Sequence, residues 1–208
     1  MRVDLKYKNL KSLEGIHLPD GLTTLNLNGN LLTSLPPLPP TLTHLHCSRN
    51  KLTSLPSLPP SLEVLDCGGN QLISLPPLPP SLIELDCGSN RLINLPPLPP
   101  SLTNLICYCN RLTSLPPLPR SLTKLYWIGN PLALHYCEKG ELKTIEELRV
   151  IIQVDRWRRA LFIVSRMIRD RSARNIQRVW RRYWLVPYFD PQLGYMVSRY
   201  LLHYKHEL

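Results

Sequence analysis

Leu62 to Ser81 reads LEVLDCGGNQLISLPPLPPS, and Leu82 to Ser101 reads LIELDCGSNRLINLPPLPPS. The second stretch is the first with small changes, so the chain carries a tandem repeat. Working outward, the same columns continue in both directions. Asn30, Asn50, Asn70, Asn90, Asn110 and Asn130 recur at one fixed interval, as do Leu22 to Leu122 and Leu25 to Leu125. The unit is L-x-x-L-x-C-x-x-N-x-L-x-x-L-P-x-L-P-x-x, without an insertion over six copies. A period of this length signals a stacked array, since one such unit cannot bury its own apolar face.

The spacing within the unit dictates its shape. In L-x-x-L-x-C the second leucine and the cysteine lie two apart, so both point to one face of a short strand. The Asn marks a turn, where its side chain can bond neighbouring backbone groups. The L-P-x-L-P segment cannot be helical. Each proline removes a backbone donor and pushes the preceding residue into extended geometry. Of the 22 prolines, 19 lie between Pro19 and Pro119, which excludes a helical bundle over that span. Each rung is therefore strand, turn and extended return, with its leucines and cysteines inward.

The motif LxxLxCxxNxLxxLPxLPxx resembles the short leucine-rich repeat. LPPLPPSL is similar to the variant found in secreted bacterial effectors and in proteins of giant DNA viruses. The resemblance covers about residues 22–132, with a degenerate coil from about Val3 to Leu18. It implies a solenoid of parallel β-strands with extended proline-rich returns, whose concave sheet binds other proteins. The expected organisation is a repeat solenoid over residues 1–135, with about five full repeats, and a basic, mostly helical cap and tail over 136–208. Effectors of this kind that act as ubiquitin ligases carry a large C-terminal catalytic domain with a reactive cysteine. Here only the short stretch 133–208 follows the array, and Cys137 is the one cysteine in it. Ligase activity is therefore not carried over, and no enzyme is expected.

The residues that alternate with the core positions form the exposed sheet. One column is Asn26, His46, Asp66, Asp86, Ile106 and Tyr126; the next is Thr24, His44, Val64, Glu84, Asn104 and Lys124. A third is Asn28, Ser48, Gly68, Gly88, Tyr108 and Ile128. Their chemistry runs from histidine through acid to apolar and aromatic. His44, His46, Asp66, Glu84, Asp86, Ile106, Tyr108, Lys124, Tyr126 and Ile128 are the candidate partner-binding residues. Large side chains on a rigid surface dominate binding energy, and the acids would select a basic partner. The same columns also fit a merely solvated sheet. His44 and His46 beside Asp66 have no nucleophile or third ligand placed with them, so no catalytic or metal site and no cofactor is expected.

Cys47, Cys67, Cys87 and Cys107 share the core column that Leu27 fills in the first full coil. Neighbouring strands lie about 4.8 Å apart, within reach of a disulfide, but the swap with Leu27 reads as a small buried hydrophobe. Cys109, at a turn, is the thiol expected to be exposed. The N-terminus MRVDLKYKNL places charges where a secretory signal needs an apolar core, and no run of apolar residues is long enough for a membrane span. A cytoplasmic, reducing setting is expected, and the terminal KHEL is taken as coincidence with a retention signal.

The net charge of +10 is uneven. Residues 1–132 carry 10 Lys and Arg against 7 Asp and Glu, whereas residues 133–208 carry 15 against 8. The apolar spacing predicts a helix near 143–169 that caps the array, and a second near 172–185. Ile176, Gln177 and Arg181 resemble the opening of the IQ motif, I-Q-x-x-x-R, with Trp180 and Arg182 on the same segment. The match departs at Arg182, where the motif has glycine, and at Val186. Such a basic amphipathic helix fits a calmodulin-like protein, nucleic acid or an anionic membrane surface, and equally a solvated face packed on the last coil.

Overall fold

In the computed structural model the described residues are 1–132 together with Ile145, Leu148, Arg149 and Ile152. The chain divides into two units, Met1–Asp155 and Arg156–Leu208, and the described residues all lie in the first. The helix expected over 172–185 and the boundary drawn at 135/136 lie outside the described residues.

Each coil supplies one short strand. These are β1 (Arg2–Asp4), β2 (Thr24–Asn26), β3 (His44–His46), β4 (Val64–Asp66), β5 (Glu84–Asp86), β6 (Asn104–Ile106) and β7 (Lys124–Tyr126). They form one parallel sheet in sequence order. From β2 to β7 every pairing sets a residue against its equivalent in the next repeat, Leu25 on Leu45, Leu45 on Leu65 and so on. Strands this short are what the sequence allows, because the glycine or left-handed residue after each strand turns the chain away. Gly29, Arg49, Gly69, Ser89, Cys109 and Gly129 occupy the same rung position, and all have φ between 49° and 76°.

The interior is a set of stacked columns. Leu22 to Leu102, Leu25 to Leu105 and Leu32 to Leu132 are buried, and so are the four stacked cysteines. The proline-rich returns carry neither helix nor strand. Their leucines pack inward from the opposite side, with Leu75, Leu95 and Leu115 buried and Leu35 and Leu55 half-buried. Hydroxyls hold adjacent returns together. Ser61 Oγ lies 2.7 Å from the Pro40 carbonyl and 2.9 Å from that of Leu42, and Ser81, Ser101 and Ser121 repeat the bridge.

The buried backbone is satisfied by asparagine. Asn70 Oδ1 accepts the Leu52 N–H at 3.0 Å, and its Nδ2 donates to the carbonyls of Cys47 and Cys67 at 3.0 Å each. Asn50, Asn90 and Asn110 make the same three bonds, and Asn130 makes the equivalent set with Trp127 in place of a cysteine. One side chain thus closes its own turn and pins it to the preceding coil.

At the far end the array changes character. Trp127 occupies the cysteine column and is buried, while Leu125 is only half-buried. Ile145, Leu148, Arg149 and Ile152 are helical. Leu148 and Ile152 are buried in the same apolar cluster as the leucines of the array. The Arg149 guanidinium donates to the carbonyls of Pro119, Arg120 and Leu122 at 2.8, 3.2 and 2.9 Å.

Asn70→Ala removes three bonds to buried backbone groups at mid-array. Urea denaturation should show a loss of about 2–4 kcal/mol. A loss comparable to that of an exposed return substitution such as Ser74→Ala would mean that the asparagine column is dispensable.

Candidate protein-interaction face

The open face of the sheet is built by alternation. With Leu25 to Leu125 turned inward, the flanking residues of every strand must turn outward. The ten candidate residues of this face all lie on β3 to β7 or just beyond them. His44, His46, Asp66 and Ile106 are half-buried, and Glu84 and Lys124 are exposed. Tyr126 is 56% exposed, Ile128 53% and Tyr108 42%. Three large apolar or aromatic side chains therefore stand in solvent side by side on the last two rungs, as far as the described residues show.

Two residues of these columns depart from expectation, and Gly88 is the first, buried under the Tyr108 ring. Asn26 is the second, buried instead of exposed. Its Oδ1 folds back to accept the Asn28 N–H at 3.1 Å. Asn28 in turn bridges rungs, since its Oδ1 accepts the Ser48 N–H at 2.8 Å and its Nδ2 reaches Asp66 Oδ2 at 3.4 Å. The first full coil is thus knitted to its neighbours by short amides, and partner-sized groups begin only at β3.

His44 is occupied locally, with Nδ1 2.9 Å from Thr43 Oγ1. His46 Nδ1 lies 3.9 Å from Asp66 Oδ2, an ion-pair distance too long for a hydrogen bond. Among the described residues no group of three or more metal-ligating side chains comes together, so the two histidines and Asp66 are not assembled into a metal cluster.

The two central carboxylates, on adjacent strands in direct register, have opposite surroundings. Burial alone would raise the Asp66 carboxyl, but His46, Ser48 and the Gly68 N–H beside it hold it below the ordinary value. Burial also raises Asp86, the Gly88 N–H at 2.9 Å opposes this, and the Asp66 charge adds to the rise, so the net shift is upward. Among the described residues Asp86 has no cationic partner, since the ion pairs there are Arg2–Asp4, Lys6–Asp4 and His46–Asp66. Across the ladder from Glu84, Asn104 Oδ1 is buried without a hydrogen-bond donor.

The glycines in the third column shape the surface. A Cβ on Gly88 would stand 2.7 Å from the Tyr108 ring, so that ring lies across the bare backbone of β5's turn. A Cβ on Gly68 would meet Asp86 Oδ1 at 3.1 Å. The Asp86 carboxylate thus leans over the Gly68 backbone, and the Tyr108 ring over that of Gly88.

The thiol column behaves as a hydrophobic one. Cys47, Cys67, Cys87 and Cys107 are free and fully buried, whereas Cys109 is free and exposed because it is the left-handed turn residue of its rung. Burial, with the nearby Asp86 charge as the second cause, pushes Cys107 up to about 12. Burial likewise raises Cys47, Cys67 and Cys87, so these thiols stay protonated and unreactive at neutral pH. The residues of the IQ-like segment, Ile176, Gln177, Trp180, Arg181 and Arg182, lie outside the described residues. No helix of the described residues is long and apolar enough to cross a membrane.

Two outcomes follow from these surroundings. In a variant with Cys109→Ser and Cys137→Ser, a disulfide reagent should label no thiol rapidly until denaturant unfolds the array. Fast labelling of the native variant would show that the stacked cysteines are accessible. Asp86→Asn keeps the oxygen that accepts the Gly88 N–H and deletes a charge whose folded-state pKa is raised. Ionised Asp86 disfavours the folded state at neutral pH, so the variant should unfold at higher urea than the parent at pH 7. The gain should vanish as pH falls below the ordinary aspartate range, where both states are protonated. A lower midpoint at pH 7 would contradict the assigned environment.

Comparisons with known proteins bear on the whole array. A model of two leucine-rich repeat copies matches residues 40–80, and a single-repeat model matches residues 21–40. The chain is similar to the leucine-rich repeat domain of a Shigella effector, at 42% identity and a TM-score of 0.59 over 62% of this chain and 58% of that one. It is similar to YopM of Yersinia enterocolitica, at 40% identity and TM-score 0.53 over 55% of this chain and 30% of that one. It also resembles YopM of Yersinia pestis, a leucine-rich effector protein, at 46% identity and TM-score 0.54 over 55% of this chain and 32% of that one. The chain therefore spans less than two thirds of the length of each of these structures. No curated protein matches the chain. The array is a leucine-rich repeat solenoid, similar in fold and sequence to those of the Shigella and Yersinia effectors.

Proposed function

We propose that this protein is a non-enzymatic interaction scaffold that binds another protein on the open face of its sheet. The observation that carries the reading is the contrast between the two faces of the same strands. Inward, every rung repeats leucine, and four of them in succession repeat a buried cysteine. Outward, each rung differs from the next, and the last two place Tyr108, Tyr126 and Ile128 in solvent. Aromatic and large aliphatic side chains on a fixed surface are the anchors from which interfaces draw most of their energy. The backbone beneath them is held by the sheet and the asparagine column, so little ordering entropy is lost on docking.

The leucine-rich repeat fold supports the same reading, since such arrays present an extended surface formed by successive rungs. A catalytic role has no matching support. The stacked thiols are held protonated, and the Thr43 hydroxyl beside His44 donates to the Thr23 carbonyl.

The test is affinity purification with the full chain against a full-chain variant carrying Tyr126→Glu and Ile128→Glu. Partners recovered with the parent should be lost with this variant and kept by Ile93→Glu, an exposed apolar position outside the strands. Partners that survive the double substitution would place the binding surface elsewhere.

A further inference from the structure

The open face has a second feature that an apolar anchor patch does not require: a half-buried carboxylate that no cation of the described residues pairs. Asp86 sits in direct register with Asp66. Asp66 is flanked by Asn28 and His46 on the rungs before it. Among the described residues Asp86 has the Gly88 N–H of its own turn, and its neighbour across the ladder on the other side is the apolar Ile106. Glu84, two positions earlier on the same strand, adds a further negative charge in solvent. Fixed negative potential therefore accumulates where the acidic rungs meet the apolar ones. Gly68 and Gly88 place no side chains there, so the Asp86 carboxylate leans over the Gly68 backbone and the Tyr108 ring over that of Gly88.

We infer that this face recognises an extended segment of a basic partner protein, seating an arginine or lysine beside Asp66 and Asp86, and an apolar residue against Tyr108, Tyr126 and Ile128. This deepens the interaction-scaffold reading and rests on it. The cation meets the charge that the fold leaves uncompensated, and its aliphatic stem lies along the Tyr108 ring, an arrangement that also gives cation–π attraction. The centre of the acidic pair on β4 and β5 and that of the apolar pair on β6 and β7 are two strand spacings apart, about 10 Å. A tripeptide of extended chain spans about 10 Å. The basic and apolar side chains of the partner are therefore expected two to four positions apart. Nucleic acid is disfavoured on this face by the same carboxylates.

The probe is a phage library of random dodecapeptides selected against the full chain, with enriched peptides remade and their affinities measured by fluorescence anisotropy. Enriched peptides should pair Arg or Lys with an apolar residue at that spacing. Asp86→Asn should weaken them at least tenfold, the Asp66→Asn and Asp86→Asn double variant more, and added salt should weaken the parent complex. Unchanged binding by Asp86→Asn in a protein whose urea midpoint is not lowered overturns the inference, as does enrichment of acidic or uncharged peptides, or no enrichment at all. Tyr126→Ser separates the two levels. If peptides respond to Tyr126→Ser and not to Asp86→Asn, the face binds partners but the basic recognition is wrong. If they respond to neither, the interaction-face reading fails as well.

Discussion

A coil made of strand, turn and extended return leaves buried amides and carbonyls at its inner turn, where water cannot reach them. The asparagine column resolves this constraint. A side-chain amide is the neutral group that offers an acceptor and two donors in one plane, and each Asn from Asn50 to Asn110 uses all three on buried backbone of its own and the preceding rung. Aspartate would bring a charge and no donor, and leucine would leave three polar groups unpaired in an apolar interior. The strict spacing of asparagine is thus set by backbone chemistry, and the leucine columns must keep its step.

That step explains why the outer face is free to vary. In β3 to β6 only the middle residue enters the core, joined by the group just after the strand. Substitutions at the two outward positions and at the third column change neither register nor packing. The limit on this freedom is local. The left-handed residue before each Asn accepts Arg49, Ser89 and Cys109 as well as glycine, but Gly88 cannot gain a Cβ without moving the Tyr108 ring. Surface chemistry on one rung thereby constrains the residue on the next.

Most of the array was legible from the period alone, because the same residue type at the same offset admits one repeating geometry. Trp127 illustrates how far this reaches. It lies one full repeat after Cys107 and the column assigns it to the core, although its size gives no hint that it replaces a cysteine. What the period could not supply were differences between rungs that share a motif. Asp66 and Asp86 sit in the same column, yet one is held down by a histidine on the rung before it and the other is pushed up beside an isoleucine. Asn26 likewise shares a column with exposed residues but folds back on Asn28. Such outcomes depend on lateral neighbours a whole repeat away in each direction, which a reading along the chain does not weigh.

On the proposed reading, the placement of Asp86 is what separates a recognition surface from a solvated one. A solvated sheet under no other demand would relieve a half-buried carboxylate by pairing it, as Asp66 is paired with His46. Ile106 offers no such relief, and placing a basic residue there would be a small change on a face that tolerates Lys124 one rung on. The fold therefore carries an electrostatic cost at the junction of its acidic and apolar rungs. Costs of this kind concentrate where function opposes stability. In the proposed complex a partner cation would remove the cost on docking, and the penalty borne by the free protein would become a source of selectivity.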